Sequence, residues 1–214
     1  MLRLKPLCLL FCASLDFQQK PATFQKKGLT MKKTYLNALI ALCALALFTT
    51  PSIANDPTDK IRAIAEEITE MRSNLAKTFV KDNSTITEET FQNVCGAVGK
   101  RVNELTEKEA LIIRHVSAKN RNPKNTPTAE EAAFIFTFEG DKSLKRYRDA
   151  IEKNGVTYNR FIAPIYIEQA CLACHGEKKA RPEFIATKYP NDKAYGFKTG
   201  DLRGIIIVLA PKAK

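Results

Sequence analysis

Apolar residues recur at steps of three and four in two segments of the first half of the chain, which is the spacing of one face of an α-helix. These positions are Ile61, Ile64, Ile68, Met71, Leu75 and Phe79 in the first segment and Phe91, Val94, Cys95, Val98, Val102 and Leu105 in the second. The pattern predicts a helix over residues 59–80 and another that ends near residue 104. A polar break over residues 81–85 separates them, and Thr85 and Glu88 have the spacing of a capping box. We therefore expect an antiparallel pair of helices.

Beyond these helices, short apolar or alternating runs predict β-strands. The predicted strands are residues 111–116, 144–153, 156–167 and 202–210. Asn154 and Gly155 join the second strand to the third, and this dipeptide is the strongest short signal for a two-residue hairpin turn. Pro164 lies within the third strand and has no N–H to donate, so we expect it at a sheet edge or at a bulge.

Shorter elements complete the pattern. Thr128 and Glu131 have the spacing to cap a short helix that runs through residue 138. Turn-forming residues are frequent in residues 119–128 and 181–198, which we predict as loops. Because the helices come first and several antiparallel strands with short helices follow, the order indicates an α+β domain.

The N-terminal region has the pattern of a secretory signal peptide over residues 31–54. Two lysines precede an apolar run over residues 36–48, which is shorter than the ~18 residues of a membrane span. Residues 52–54 form a small-x-small cleavage site, and we expect cleavage before Asn55. An uncleaved membrane anchor is the alternative. Residues 1–30 precede a complete signal peptide, so we interpret them as a start codon placed too far upstream or as a disordered extension.

Removal of this region changes the charge. The formal net charge of the chain is +11, and residues 1–54 hold seven Lys or Arg and one Asp, which leaves +5 on residues 55–214. A mildly basic domain suits an acidic partner and gives no evidence for nucleic-acid binding. We predict that residues 55–214 form a single exported domain that has no membrane contact after cleavage.

Half of the chain's six cysteines lie before the predicted cleavage site, so Cys95, Cys171 and Cys174 remain. Export leads to an oxidising compartment, where disulfides form. An odd number of cysteines leaves at least one that needs another explanation.

Cys171, Cys174 and His175 form the C-x-x-C-H signature of covalent haem attachment. Two thiols add across the two vinyl groups of haem, and a gap of two residues lets one helical turn present both. The adjacent histidine is then the proximal ligand of the iron. The motif predicts one covalently bound haem c with its iron.

Three other interpretations of the motif compete with haem attachment. A zinc ribbon needs a second ligand pair, whereas only Cys95 and His115 remain, and they are not a pair at metal-ligand spacing. A thioredoxin-like redox site usually lies at a strand-to-helix junction of a βαβ unit, which is not evident here. A structural disulfide between Cys171 and Cys174 would close a very short loop.

Three segments resemble the Tll0287-like haem-domain family, namely residues 113–131, 162–176 and 189–209. They occur in the family's order and cover most of residues 60–210. The resemblance implies a PAS-like antiparallel sheet with two long N-terminal helices and one c-type haem. Members occur alone in the periplasm or as the sensory part of larger signalling proteins.

The resemblance also implies a second iron ligand. Cys95 aligns with a helical cysteine that resembles an axial thiolate ligand in the family, although a buried cysteine can also be a small hydrophobic residue. His115 stands where the family more often has arginine, and it competes with Cys95 as the sixth ligand. We expect Met71 in the core of the first helix. Thiolate ligation would favour ferric iron and lower the reduction potential.

Arginines near the family-like motifs are candidates for pairing with the haem propionates. They are Arg114, Arg121 and Arg203. Solvated surface positions are the alternative for each of them.

The sequence thus predicts a periplasmic monohaem protein that acts in electron transfer or in redox or ligand sensing. We expect a redox or signalling partner and attachment of haem by the cytochrome c maturation machinery. With both axial positions filled, we expect no enzymatic activity. The alternatives are a haem enzyme of peroxidase type and a non-haem thiol–disulfide module that uses Cys171 and Cys174.

Overall fold

The computed structural model describes residues 57–81 and 85–212, so the predictions for residues 1–54, including the signal peptide, lie outside the described residues. Helix α1 spans Pro57–Phe79. Helix α2 spans residues 88–109 and is α-helical over Glu88–Phe91 and Ala97–Glu109, with a π-helical turn over Gln92–Gly96 between them.

The two helices pack in opposite directions. Lys60 near the start of α1 pairs with Glu109 at the end of α2, whereas Glu67 further along α1 pairs with Arg101. The predicted antiparallel pair is therefore confirmed.

The capping box predicted for Thr85 and Glu88 is wrong. Thr87 caps α2, because its Oγ1 accepts a hydrogen bond from the N–H of Thr90 at 3.1 Å. Thr85 has the spacing of a capping box with Glu88, but a cap needs only a side-chain oxygen that meets the third N–H of the helix, and Thr87 supplies one without a glutamate at that position.

The described residues form one four-stranded antiparallel sheet in the order β1-β4-β3-β2. The strands are β1 Ile112–Val116, β2 Tyr147–Lys153, β3 Val156–Tyr166 and β4 Leu202–Pro211. Asn154 and Gly155 have φ angles of 53° and 73°, as a type I′ turn requires, so the predicted hairpin is confirmed. Pro164 pairs with Ile205 of β4 but lies beyond Ile162, the last residue of β3 that pairs with β2. It therefore occupies a locally open edge, as expected.

The central strand β4 is buried on both faces. Its side chains alternate between a core with α1 and α2 and a second core with α3, which spans Ala129–Gly140. Ile206, Val208 and Ala210 belong to the first core, and Ile205, Ile207 and Leu209 belong to the second. Burial on both faces explains why the strand reads as a continuous apolar run rather than as an alternating one. The predicted α+β fold with an antiparallel sheet is confirmed.

Two smaller predictions had different outcomes. The capping box of α3 is present, since Thr128 Oγ1 accepts from the N–H of Glu131 and the Glu131 carboxylate accepts from the N–H of Thr128. The loop predicted over residues 181–198 is partly wrong, because helix α5 spans Glu183–Lys188 and buries Ile185. A helix of six residues is too short to show a period.

Within the described part of the chain, no helix has the length and apolar content that crossing a membrane requires.

Candidate haem site

A cavity lies at the end of the sheet where β1 and β3 end and β4 begins. It consists of two adjoining pockets that share part of their lining. Both pockets are lined by Arg72, Phe91, Cys95, Ile165, His175 and Arg203. The first, which we term the apolar lobe, is also lined by Ala76, Val80, Ile86, Thr90, Val94, Tyr166, Ile167, Ala170, Cys171 and Cys174. The second, the polar lobe, is also lined by Val98, Gly99, Asn103, His115, Val116, Ser117, Arg121, Asn122, Asn125, Tyr189, Gly204 and Ile205.

One wall of the cavity is a contiguous segment that follows β3. A 3₁₀ turn over Gln169–Cys171 leads into the single-turn helix α4, Leu172–His175. This turn brings Cys171, Cys174 and His175 to the apolar lobe together. Gly176 follows this helix. A Cβ added to Gly176 would lie 2.7 Å from the carbonyl oxygen of Leu172, so no larger residue fits without a backbone shift.

The His175 ring is oriented by the loop that follows α5. Its Nδ1 lies 2.8 Å from the carbonyl oxygen of Ala194. Because a carbonyl only accepts, Nδ1 carries the proton and Nε2 keeps its lone pair. Burial, with Arg203 and Arg121 nearby, lowers the pKa of His175 well below its usual value. The ring is therefore neutral and suited to bind a metal through Nε2.

The two cysteines of the segment are free thiols. Burial raises the pKa of Cys171, and it raises the pKa of Cys174 to about 11. Both side chains are therefore protonated at neutral pH.

Cys95 comes from a different wall. It lies in the π-helical turn of α2 and lines both lobes. π-Helical turns are rare and frequently occur at functional sites. One turn later, Gly99 faces the polar lobe, where an added Cβ would meet no atom within 4 Å. Helix α2 thus leaves open space beside Cys95.

His115 lies on β1 and reaches toward α1. Its Nε2 is 3.3 Å from Nη2 of Arg72. Since a guanidinium group only donates, Nε2 of His115 is the acceptor and its lone pair is occupied. His115 lines the polar lobe, whereas Cys171 and Cys174 line the apolar lobe.

Arg203 reaches the cavity because of a β-bulge. Ile165 pairs with Gly204 and Tyr166 pairs with Leu202, which leaves Arg203 as the extra residue. Strict alternation would place Arg203 on the face of Ile205, toward α3. Its Nη1 donates to Ser117 Oγ at 2.7 Å and to the carbonyl oxygen of Lys119 at 3.0 Å. Burial and the neighbouring Arg72 and Arg121 lower the pKa of Arg203 to about 10.

Arg121 supports the C-x-x-C-H segment, residues 171–175. Its Nη2 donates to the carbonyl oxygen of Cys174 at 2.9 Å, and its Nε lies 3.3 Å from a carboxylate oxygen of Asp192. Asp192 also accepts from Arg181 at 2.7 Å. Arg121 thus holds Cys174 in place, and direct contact of Arg121 with a cofactor remains a prediction.

Two other expectations concern residues near the cavity. Arg114, one candidate for pairing with the haem propionates, does not line this cavity, because strand alternation turns it to the other face of the sheet. There it binds both oxygens of Glu131 in α3, at 2.8 and 3.1 Å. Met71 packs against the core formed by α1, α2 and the sheet, as expected.

Sequence reasoning missed Arg72. Its Nε is buried and has no hydrogen-bond partner among the described residues. A signal was present, because residue 72 lies four positions after Ile68 and three before Leu75, so helical spacing places this arginine on the buried side of α1.

The residues present fit a covalently attached haem. Two free thiols and a neutral histidine with an available Nε2 lie on one turn beside an apolar lobe. Arg72 and Arg203, which are partly buried and have no carboxylate partner among the described residues, complement an anionic group at the same cavity. No group of three or more His, Cys, Asp or Glu that could hold a metal ion occurs within residues 57–81 and 85–212.

Fold and site together define an α+β domain with a C-x-x-C-H segment at a cavity between the sheet and two antiparallel helices. The chain belongs to the Tll0287-like family, which matches residues 51–211. The crystal structure of the cyanobacterial haem protein Tll0287 is similar, with 34% sequence identity and a TM-score of 0.65. The match covers 74% of this chain and 98% of the cyanobacterial protein. No curated protein matches the chain. The predicted family membership is confirmed.

Proposed function

We propose that this protein is an exported monohaem protein of the c-type, with haem attached through Cys171 and Cys174 and its iron bound by His175. The observation that carries this proposal is the placement of two free thiols and an oriented, neutral imidazole on one turn at an apolar lobe. The similarity to a cyanobacterial haem protein supports it. When bound, haem would supply one-electron chemistry at its iron.

Cys95 is the proposed second axial ligand. It lines the same lobe as Cys171, Cys174 and His175, although it comes from α2. His115 is the weaker candidate, because its Nε2 already accepts a hydrogen bond from Arg72. Thiolate ligation would also account for the odd cysteine of the exported chain.

The function that this arrangement supports best is electron transfer or redox and ligand sensing rather than catalysis. Side-chain donors for both axial positions leave no position for a substrate. The net charge of +5 on residues 55–214 favours an acidic redox or signalling partner. We place the protein in the periplasm, where the cytochrome c maturation machinery would attach the haem.

The two alternatives have less support. A reactive thiol–disulfide site needs a lowered thiol pKa, whereas burial raises the pKa of Cys171 and Cys174. A peroxidase needs an open iron position and a free acid–base group, and the nearby His115 is engaged with Arg72.

The test is the pyridine haemochrome spectrum of the protein purified from the periplasm of a host that attaches haem c. We expect one covalent haem per chain and a low-spin ferric spectrum. Absence of covalent haem would show that the proposal is wrong. A rate of electron exchange that falls with salt would indicate a carrier, whereas loss of a ligand on reduction or on addition of carbon monoxide would indicate a sensor.

A further inference from the structure

The cavity carries more positive than negative charge. Four arginines lie at or beside it, namely Arg72, Arg121, Arg181 and Arg203. Among the described residues, Arg121 and Arg181 both form an ion pair with Asp192. Arg72 and Arg203 form no ion pair with a described residue. Both are partly buried, and a charge that is partly removed from water is stabilised when an opposite charge binds beside it.

Arg72 is held in a way that leaves part of its guanidinium group without a hydrogen-bond partner in the described part of the chain. Its Nη2 donates to His115, which anchors the group to β1. Its Nε is buried, has no partner among residues 57–81 and 85–212, and belongs to a side chain that lines both lobes. A guanidinium group with unpaired N–H groups at a cavity is a good donor to a carboxylate.

We propose that Arg72, oriented by His115, binds a carboxylate of the haem, so that His115 is a positioning residue and not an iron ligand. This inference rests on the proposed covalent haem. His115 faces Arg72 of α1, and its Nε2 accepts a hydrogen bond from the guanidinium group. This contact orients Arg72, so the role of His115 is to support the arginine. The group that Arg72 binds is thus an anionic carboxylate. Arg203 lines the same two lobes and is placed to bind the second haem carboxylate.

The experiment compares variants of the holoprotein by three measurements. These are the ferric spectrum, the reduction potential, and the infrared carboxylate bands of haem labelled with carbon-13 at its carboxyl groups. Arg72→Gln removes the charge and keeps the length of the side chain. His115→Ala removes the acceptor, whereas His115→Gln retains an oxygen that can accept from Arg72. Arg62→Gln is the control, because Arg62 is an α1 arginine that pairs with Glu66 on the exposed side.

We expect Arg72→Gln to shift the labelled carboxylate bands and to lower the reduction potential, because a positive charge beside the haem is lost. The ratio of reduced to oxidised protein at a fixed potential should fall roughly tenfold, which corresponds to about 59 mV for one electron. His115→Ala should shift both in the same direction, and His115→Gln should restore them. The double variant Arg72→Gln with His115→Ala should match Arg72→Gln alone, because the two residues act as one unit. Arg62→Gln should match the wild type.

Two outcomes would overturn the inference. Unchanged carboxylate bands in Arg72→Gln would show that this arginine does not bind the haem carboxylate. Loss of the low-spin ferric spectrum in His115→Gln would show that His115 is an iron ligand. Failure of the proposed function would be seen separately, as a lack of covalent haem in the wild type.

Discussion

The two walls of the cavity are built in different ways. The attachment wall is one short helical turn that carries Cys171, Cys174 and His175, so its chemistry is contiguous in the chain. The other wall takes Arg72 from α1, Cys95 from α2 and His115 from β1, and the contact between the first and last of these joins residues 43 positions apart. A contiguous motif can be recognised in the sequence, whereas a wall assembled from separate elements depends on the fold.

The largest effect is expected at the attachment wall. Replacing Cys171 and Cys174 together by serine removes both thiols that can bond to the vinyl groups. We expect complete loss of covalent haem in the pyridine haemochrome assay. Cys95→Ser is the matched control, because it removes a cavity cysteine that lies outside the motif and should keep the haem attached. Retention of covalent haem by the double variant would contradict the comparison.

The next effect is expected at the other wall. Cys95→Ser should leave the haem attached and abolish the sulfur-to-iron charge-transfer band of the ferric spectrum, because serine is a poor iron ligand. Ferric and ferrous spectra of the two proteins provide the measurement. An unchanged spectrum would exclude Cys95 as the ligand and would favour His115.

A smaller effect is expected where β4 packs closely against β1 beside the cavity. Gly204 has a φ of 157°, and a Cβ there would lie 2.3 Å from the carbonyl oxygen of Val116. Gly204→Ala should therefore lower the free energy of unfolding by about 3 kcal/mol, through strain and overpacking. It should also displace the neighbouring Arg203. Urea unfolding provides the measurement, and Gly155→Ala, which meets no atom within 4 Å despite its positive φ, is the control for the conformational part.

The smallest effect on the site is expected from the opposite face of the sheet. Arg160 is buried and binds Asp149 and Glu130, whose carboxylates keep some contact with solvent. Arg160→Ala should lower the free energy of unfolding by about 2 kcal/mol, less than the ~3–5 kcal/mol for a fully buried pair. The ferric spectrum and the reduction potential should not change. A shift in either would show that the two faces of the sheet are coupled.

Local signals predicted the elements that depend on neighbours in the chain. The Asn154-Gly155 turn and the Thr128 cap are examples, because a turn type and a helix cap need only a few adjacent residues. The positions of the helical apolar residues likewise placed Cys95 on a buried face. By contrast, the cap at Thr87 and the short helix α5 were missed, since more than one start fits the same residues and six residues are too few to show a period.

The sequence by itself determined the family, the α+β fold and the C-x-x-C-H segment, because these depend on periodicity, turn chemistry and a motif of five adjacent residues. The tertiary structure alone decided that Arg203 turns into the cavity and Arg114 away from it, and that Arg72 occupies the lone pair of His115. The physical reason is that a β-bulge, strand alternation and packing between distant elements set the direction of each side chain. The direction of a side chain therefore cannot be read from the residues that lie next to it in the chain.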